Sequence, residues 1–316
     1  MARDAILRLG TRGSPLALAQ AREVRAGLAA AHPELAPDGA VETVVIKTTG
    51  DKEQDRTLAE IGGKGLFTKE IEEALLAGRI DAAVHSMKDV PTWLPEGLVI
   101  GAILPREDPR DAFFSPHGDG LAALPEGAVV GTASLRRQAQ VLFARPDLTV
   151  VPFRGNVETR LRKLAEGQVD ATLLAVAGLK RLGKAGEIKA VLEPEEMLPA
   201  VAQGALGLEM RRGDERTRGF LAALDDRDSA ARVAAERACL EVLDGSCRTP
   251  IAALAELASG GSEMRLRALV AMPDGTAVHR VERRGSAGDA AALGRDAGGE
   301  LRAAAGPDFF AALAGA

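Results

Sequence analysis

The sequence predicts an α/β fold with two lobes, followed by a small C-terminal α+β domain. Short β-branched or leucine-rich runs alternate with amphipathic segments of helical period through the first two thirds of the chain. This alternation is typical of βαβ units and mostly parallel sheets. Proline and charge interrupt it at Pro105–Pro109 and Leu192–Pro199, where we expect the chain to cross between the lobes. From about Asp226 an alanine-rich helix leads into three strand-like runs, which predict the third domain.

Each element follows from its local pattern. The runs expected as strands in the lobes are Ile6–Gly10, Val41–Thr48, Ala82–Ser86, Leu98–Leu104, Val129–Thr132, Leu148–Arg154, Ala171–Val176 and Ala205–Met210. The segments expected as helices between them are Pro15–Ala31, Thr68–Ala77, Leu135–Ala144 and Val157–Ala165. The elements expected in the third domain are helix Ser229–Leu243, strands Ile251–Leu257, Arg265–Met272 and Ala277–Val281, and helix Ser286–Ala305.

Composition excludes several classes of protein. The 316 residues carry 40 Lys plus Arg and 45 Asp plus Glu, a net charge of −5, and 46% are hydrophobic, which is ordinary for a globular protein. No apolar run approaches the ~18 residues that would span a bilayer. The start of the chain has too short an apolar stretch for a signal peptide, and two cysteines make no disulfide framework, so we expect a cytosolic protein. Mild acidity argues against general nucleic-acid binding, so an anion site must be local.

Two strand-to-helix turns resemble each other. Leu9–Ser14 and Val130–Ser134 each close a strand and place a serine before a helix. Serine is a favoured N-cap, and a helix N-terminus after a strand is a ready anion site. The pair favours two facing lobes, with chance similarity of two short turns as the alternative.

The strongest local signal is positive charge. Seven basic and two acidic residues lie between Ser134 and Lys163. Arginine presents a planar fork to carboxylate or phosphate, and strand ends are where α/β folds bind ligands. The basic residues at helix starts, strand ends or loops, for which we expect a polyanionic small ligand, are Arg136, Arg137, Arg154, Arg160, Arg12, Lys64, Lys88 and Arg181. For Arg145, Arg162 and Lys163 we expect a solvated helix face.

Two further positions could do chemistry. Asp89 follows Lys88 at the end of a predicted strand, where it would stay ionised and could stabilise positive charge or move a proton. An ordinary surface Lys-Asp pair is the alternative. Cys247 lies in a Gly/Ser turn, so its thiol either carries a tethered group or is inert, whereas Cys239 lies inside a helix and is expected to be packed.

Metal and nucleotide chemistry are not expected. The four histidines are scattered without metal-ligand spacing, and Gly62–Gly65 does not have the glycine pattern of a phosphate-binding loop.

Taken together, these motifs closely resemble the porphobilinogen deaminase (hydroxymethylbilane synthase) family nearly end to end. The matching stretches are Arg12–Ala17, Gly62–Phe67, Val84–Pro91, Gly131–Gln138, Arg154–Val157, Leu174–Gly183, Gln203–Ala205 and Cys247. The resemblance implies two α/β domains like the lobes of a bilobal binding protein, plus a small C-terminal α+β domain. It implies domain 1 at 1–104 and 199–223, domain 2 at 105–198 and domain 3 at 224–316.

The resemblance also implies an activity. The family carries a dipyrromethane cofactor in thioether linkage to the cysteine that matches Cys247, and adds four porphobilinogen molecules to it with loss of ammonia. Hydrolysis then releases hydroxymethylbilane for tetrapyrrole biosynthesis. The chain would accordingly be a cytoplasmic, monomeric transferase with porphobilinogen as substrate, and with no metal, nucleic-acid or membrane partner.

The family match assigns roles residue by residue. Asp89 matches the catalytic aspartate, which would bind pyrrole N–H groups and stabilise the cation formed when ammonia leaves. The cofactor-binding set is Cys247, Lys88, Ser86, Ser134, Arg136, Arg137, Arg154, Gly155 and Arg160. The substrate-binding set is Arg12, Ser14, Lys64, Phe67, Arg181 and Gln203.

The sequence departs from the family pattern at two positions, and two other functions remain as alternatives. Glu60 stands where some relatives have lysine, so it is not expected to contact an anion, and Ala202 stands where glycine is common. A non-catalytic bilobal binding protein for an organic anion would explain the lobes and arginines but not Cys247 or the third domain. A different transferase acting on polycarboxylates is the other alternative.

Overall fold

The computed structural model describes residues 5–52, 65, 67–243 and 249–315. The strands are β1 Leu7–Thr11, β2 Val41–Val45, β3 Ala82–Ser86, β4 Leu98–Ile103, β5 Asp111–Phe114, β6 Val129–Gly131, β7 Thr149–Val151, β8 Ala171–Ala175, β9 Ala190–Leu192, β10 Leu206–Arg211, β11 Ile251–Leu257, β12 Glu263–Ala271 and β13 Val278–Ser286. The helices are α1 Pro15–Ala31, α2 Thr49–Lys52, α3 Lys69–Leu76, α4 Leu135–Ala144, α5 Val157–Ala165, α6 Val176–Arg181, α7 Glu215–Leu221, α8 Arg227–Val242 and α9 Ala290–Gly315.

These residues form two compact units, and the first is built on a five-stranded sheet of order β2-β1-β3-β10-β4. β1 is parallel to both of its neighbours, whereas β10 is antiparallel to β3 and β4. Four strands therefore run one way and β10 runs the other. Val24 and Leu28 of α1 pack on one face with Leu7 and Leu9, and α3 packs on the other face through Ile71.

The second unit contains a sheet of the same design, in the order β7-β6-β8-β5-β9. Here β5 is the reversed strand, antiparallel to β8 and β9. Val141 of α4 packs on one face, while Val157 of α5 and Leu179 of α6 pack on the other. The chain leaves the first unit after Glu107 and returns to it at Ala205. Each reversed strand is thus the first strand after a passage between units.

A third, antiparallel sheet of order β11-β12-β13 lies in the second unit. Its apolar face, with Ala252 and Leu269, shares a core with Ala139 of α4. Helices α8 and α9 approach closely enough that a Cβ at Gly294 would lie 2.0 Å from the Ala235 carbonyl oxygen. This part of the chain has the predicted α+β character.

The predicted α/β class is confirmed, and helices α1, α4 and α5 have the predicted bounds. Ser14 and Ser134 cap α1 and α4 through their side chains, which confirms their expected N-cap role. Two short strands, β5 and β9, and three short helices, α2, α6 and α7, were not predicted from the sequence. The strand predicted over Leu148–Arg154 is shorter, because only β7 pairs with β6. The last helix runs beyond the predicted end, past a non-helical Gly306.

One departure from the family pattern acquires a structural meaning. Ala202 has φ +57°, the left-handed conformation that favours glycine, and it is the one non-glycine residue with positive φ among the described residues. The buried carboxylate of Glu236 accepts hydrogen bonds from Ala202 N at 2.6 Å and Ala255 N at 2.8 Å. A single side chain of α8 therefore holds the strained residue and the edge of the third sheet.

We expect Glu236→Gln to lower the free energy of unfolding by about 2 kcal/mol, because an amide has one acceptor oxygen for two buried N–H donors. Urea unfolding followed by circular dichroism measures the change. Glu241→Gln, on an exposed position of the same helix, is the matched control and should shift stability little. Equal stability of the two variants would contradict the proposed bridging role of Glu236.

Candidate active site

The first unit presents a tight turn at the carboxyl end of β3. Ser86 ends the strand, and Met87–Asp89 form one 3₁₀ turn. Met87 N donates to the Ala205 carbonyl oxygen at 3.0 Å, which ties the turn to the start of β10. A Cβ at Gly207 would lie 2.1 Å from the Met87 Sδ atom, so any larger residue there would displace the Met87 side chain. The half-buried Lys88 and Asp89 are held on this framework.

Ser86 is oriented by a neighbouring helix. The buried Gln20 of α1 donates from Nε2 to Ser86 Oγ at 2.8 Å. Because the serine oxygen is the acceptor in this bond, its own hydroxyl hydrogen can be donated to a ligand oxygen.

Arg12 and Phe67 meet in the same unit. The Arg12 Cζ lies 4.1 Å from the centroid of the Phe67 ring, which is a cation–π arrangement. Ser14 is occupied as the N-cap of α1, where Oγ accepts from Ala17 N at 3.2 Å. Lys64 and Glu60 lie outside the described residues.

A buried cluster of His85, Glu209 and Glu72 includes the β3 residue that directly precedes Ser86. His85 Nε2 lies 2.9 Å from Glu209 Oε2, and neither side chain has appreciable exposure. Burial raises the pKa of the nearby Glu72, and the negative charge of Glu209 raises it further. Sequence reasoning assigned no role to these three residues.

The second unit presents a cationic cluster around Asp111, the first residue of β5. Asp111 has no exposed surface. Arg136 Nη2 donates to Asp111 Oδ2 at 2.8 Å, and Arg137 donates from Nη2 to Oδ1 at 2.7 Å and from Nε to Oδ2 at 3.2 Å. The two guanidinium groups also donate to backbone oxygens, Arg136 to Leu198 and Arg137 to Leu173. Both arginines of the helix N-terminus are therefore fixed to the sheet.

Asp111 and Arg136 each influence the pKa of the other. Burial alone would raise the pKa of Asp111, but the charges and hydrogen bonds of Arg136 and Arg137 hold it well below its usual range. Burial lowers the pKa of Arg136, the charge of Asp111 opposes that shift, and repulsion from Arg137 adds to it. The carboxylate thus offsets the repulsion between two adjacent buried cations.

Two more arginines extend the cluster with unsatisfied donors. Arg154 Nη1, Arg160 Nε and Arg136 Nε are buried and have no hydrogen-bond partner among the described residues. Burial lowers the pKa of Arg160 to about 10, and the nearby charge of Arg137 contributes to the shift. Buried cationic donors without partners are unfavourable unless an anion completes them.

The turn between β7 and α5 explains the expected Gly155. Gly155 has φ +125°, and a Cβ there would lie 2.8 Å from the Thr159 side chain. Asn156 then caps α5 by accepting from Thr159 N at 2.8 Å. This glycine lets the chain turn directly from Arg154 into the helix that carries Arg160.

Gln203 lies in the segment that precedes β10, and Arg181 contacts this segment. Gln203 Nε2 donates to Asp111 Oδ1 at 2.8 Å and to the Pro109 carbonyl oxygen at 2.7 Å. Arg181 Nη2 donates to the Gly204 carbonyl oxygen at 3.1 Å. Gln203 therefore belongs to the Asp111 network, a connection that the sequence did not indicate.

The structure divides the predicted residues between the two units. The first unit holds Arg12, Ser14, Phe67, Ser86, Lys88 and Asp89, and the second holds Ser134, Arg136, Arg137, Arg154, Gly155, Arg160, Arg181 and Gln203. Cys247 lies outside the described residues. Cys239 is buried, and burial raises its thiol pKa to about 12, which agrees with a packed hydrophobe. The functional candidates missed by sequence reasoning are Asp111, Gln20 and the His85–Glu209 pair. A signal existed for Asp111, because a charged residue directly precedes the apolar run Ala112–Phe114.

Among the residues that the structure describes, no cluster of histidine, cysteine and carboxylate side chains could hold a metal ion. Within the same ranges, none of the helices has both the length and the apolar character that crossing a membrane requires.

Fold and site together define a class: an α/β protein with two sheets of matching design, a third α+β part, and a buried arginine cluster suited to a polyanionic ligand. Comparison with known families gives a more specific answer. The family described as "Porphobilinogen deaminase, dipyromethane cofactor binding domain" matches residues 7–219, and "Porphobilinogen deaminase, C-terminal domain" matches residues 230–303. The chain belongs to the porphobilinogen deaminase family of enzymes.

Similar proteins agree over nearly the whole length. The porphobilinogen deaminase of Paracoccus denitrificans is 60% identical over 96% of this chain and 96% of its own. The chloroplastic porphobilinogen deaminase of Oryza sativa subsp. japonica is 58% identical over 99% of this chain and 87% of its own. Among solved structures, the periplasmic VFT2 domain of Bordetella pertussis BvgS is similar with a TM-score of 0.40 and 15% identity, covering 69% of this chain and 86% of that one.

The residues present fit a dipyrromethane cofactor, which carries carboxylate side chains. The fit rests on the buried donors of Arg136, Arg154 and Arg160, which have no acceptor within the described part of the chain. A carboxylate would satisfy such donors and offset the charge that burial disfavours.

We expect Arg160→Met to raise the free energy of unfolding of the cofactor-free chain by about 1–2 kcal/mol. The pKa of about 10 lies below the ordinary 12.5, so the charged side chain destabilises the fold at every pH below 10 and is relieved only as the pH rises towards 12.5. Denaturant unfolding at pH 7 measures the gain. Arg162→Met, on an exposed position of the same helix, is the control and should change stability by less than about 0.5 kcal/mol. A less stable Arg160→Met chain would show that this guanidinium is satisfied without a ligand.

Proposed function

We propose that this protein is a porphobilinogen deaminase. It would join four porphobilinogen molecules to a dipyrromethane primer linked to Cys247 and release hydroxymethylbilane, as a transferase of tetrapyrrole biosynthesis. The observation that carries the proposal is the group of buried, unpartnered guanidinium donors within the residues matched by the cofactor-binding domain of the family. A ligand rich in acetate and propionate groups supplies the acceptors that these donors lack.

The arginine cluster would bind and orient carboxylates. Arg154 and Gly155 lie in the turn before α5, Arg160 lies in the first half of α5, and Ser134, Arg136 and Arg137 lie at the start of α4. When bound, the dipyrromethane supplies the pyrrole carbon to which new units are joined. Lys88 and the Ser86 hydroxyl would bind further carboxylate oxygens.

Asp89 would do the chemical work. A carboxylate fixed in a tight turn accepts hydrogen bonds from pyrrole N–H groups and stabilises positive charge on the substrate as ammonia departs. Its turn is anchored at both ends, by the Ser86–Leu206 pairing in the sheet and by the hydrogen bond from Val90 N to the Met87 carbonyl oxygen. Such anchoring keeps the carboxylate in place without reorganisation during the reaction.

The incoming porphobilinogen would be bound by a second set of side chains. Arg12 and Phe67 form one contact surface, since the ring supports the guanidinium from one side. The remaining members of the proposed substrate-binding set are Ser14, Lys64, Arg181 and Gln203. Arg181 donates to the Gly204 carbonyl oxygen and Gln203 to the Pro109 carbonyl oxygen, which limits their freedom before substrate arrives.

The proposal includes an organisation of the chain. We infer domain 1 at 1–104 and 199–223, domain 2 at 105–198 and domain 3 at 224–316, supported by one sheet in each. The protein would act as a cytoplasmic monomer.

Cys247→Ser should abolish both the covalent mass increment and activity, because a hydroxyl is far less nucleophilic than a thiolate at neutral pH. Intact-mass spectrometry of the purified chain measures the increment. Cys239→Ser is the matched control and should retain both, since this thiol is buried with a raised pKa. An adduct mapped to Cys239 by peptide mass spectrometry would overturn the assignment.

Asp89→Ala should reduce turnover by at least about 100-fold and leave the mass increment and melting temperature near those of the wild type. The reason is that the lost interaction acts on charge that develops during the reaction. Asp89→Glu should retain part of the activity, because its charge stays at a displaced position. Near wild-type turnover in Asp89→Ala would exclude the proposed role.

A further inference from the structure

We propose that Asp111 is a positioning residue for the arginine cluster: its buried carboxylate fixes Arg136 and Arg137 in the orientation that binds a polycarboxylate. The identity of that polycarboxylate rests on the proposed function, whereas the positioning role rests on the contacts of Asp111 alone. Asp111 itself has no exposed surface and so contacts no ligand.

The hydrogen bonds leave little freedom to the two side chains. Asp111 binds Arg137 through two nitrogen atoms and Arg136 through one, with distances of 2.7–3.2 Å. Each guanidinium also donates to a carbonyl oxygen, so each is held from two directions. Among the residues that the structure describes, none bonds to the Arg136 Nε or to single nitrogen atoms of Arg154 and Arg160. Asp111 thereby selects which donors of the cluster stay open.

The charges of the cluster make the role testable by sign. Arg136, Arg137, Arg154 and Arg160 are cations, and Asp111 is the carboxylate that binds two of them. If the cluster attracted anions by net charge alone, removal of the Asp111 charge would strengthen binding. If Asp111 positions the donors, its removal weakens binding, because two adjacent guanidinium groups then repel each other and leave their places.

Few contacts would oppose the displacement of these two guanidinium groups. Arg136 and Arg137 occupy the first turn of α4, where their own helix dipole already disfavours positive charge. Nothing but Asp111 and two carbonyl oxygens is seen to hold them there among the described residues. Gln203 adds a fourth donor to the same carboxylate, so the Asp111 charge also serves the segment before β10.

The experiment measures citrate binding by isothermal titration calorimetry to the full-length chain in cofactor-free form, verified by intact mass. Asp111→Asn is compared with Asp81→Asn, a matched control in the first unit where a buried aspartate pairs with Arg8 and Arg211. We expect citrate affinity to fall about 10- to 100-fold in Asp111→Asn and to be unchanged in Asp81→Asn, although both variants lose thermal stability. Tighter binding in Asp111→Asn, or an equal loss in both variants, overturns the proposal.

A second variant covers the case in which Asp111→Asn does not fold. Asp111→Glu keeps the charge and displaces the carboxylate by one methylene, so we expect weaker citrate binding at unchanged net charge. Wild-type affinity in Asp111→Glu, or no citrate binding by the wild-type chain, overturns the proposal. The proposed function is tested separately, by the covalent increment on the wild-type chain after exposure to porphobilinogen, and its failure would leave the citrate results interpretable.

Discussion

The ion pairs of Asp111 with Arg136 and Arg137 connect strand β5 of the second unit to the N-terminus of α4. Gln203, in the segment that leads out of this unit, donates to the same carboxylate. A carboxylate with no exposed surface is strongly disfavoured unless cations and donors surround it, and here two arginines and Gln203 do so. The same carboxylate makes two adjacent buried guanidinium groups tolerable. The strand that starts at Asp111 and the helix that starts after Ser134 therefore depend on each other.

This dependence explains why the rest of the cluster is incompletely satisfied. One carboxylate serves the two arginines of α4, and Arg154 and Arg160 retain buried donors with no acceptor among the described residues. A fold that placed further acidic residues there would be more stable and would repel an anionic ligand. Unsatisfied polar groups of this kind concentrate where binding supplies the missing partner.

Many of the helix bounds were predictable from short stretches of sequence. Ser14, Ser134 and Asn156 cap helices whose bounds the sequence predicts, because a capping side chain is a property of a few neighbouring residues. The short strands β5 and β9 escaped prediction since three or four residues give no periodicity, and their pairing comes from distant segments. The run Leu173–Leu179, which joins β8 to α6, has no charged or polar side chain, so its pattern does not show where the strand ends and the helix begins.

The residues of the candidate site were likewise only partly predictable from the sequence. Positive charge at helix starts and strand ends predicted the arginines, and the family resemblance supplied their roles. The partner of those arginines was not predictable, because Asp111 and Arg137 meet only through the pairing of β5 with β8. Ala202 shows the same limit: the sequence shows an alanine where glycine is common, but only the contact with Glu236 explains how a left-handed alanine is held.

The position of β10 between β3 and β4 has a consequence for the order in which the protein is made. All strands of the second unit's five-stranded sheet lie within Asp108–Gly204, so they leave the ribosome before β10 does. Until then β3 and β4 of the nascent chain lack the strand that separates them, and both present unpaired backbone edges. The N-terminal sheet is therefore the later of the two to close, and β3, whose residues are nearly all buried in the finished fold, is the segment that most needs protection during synthesis.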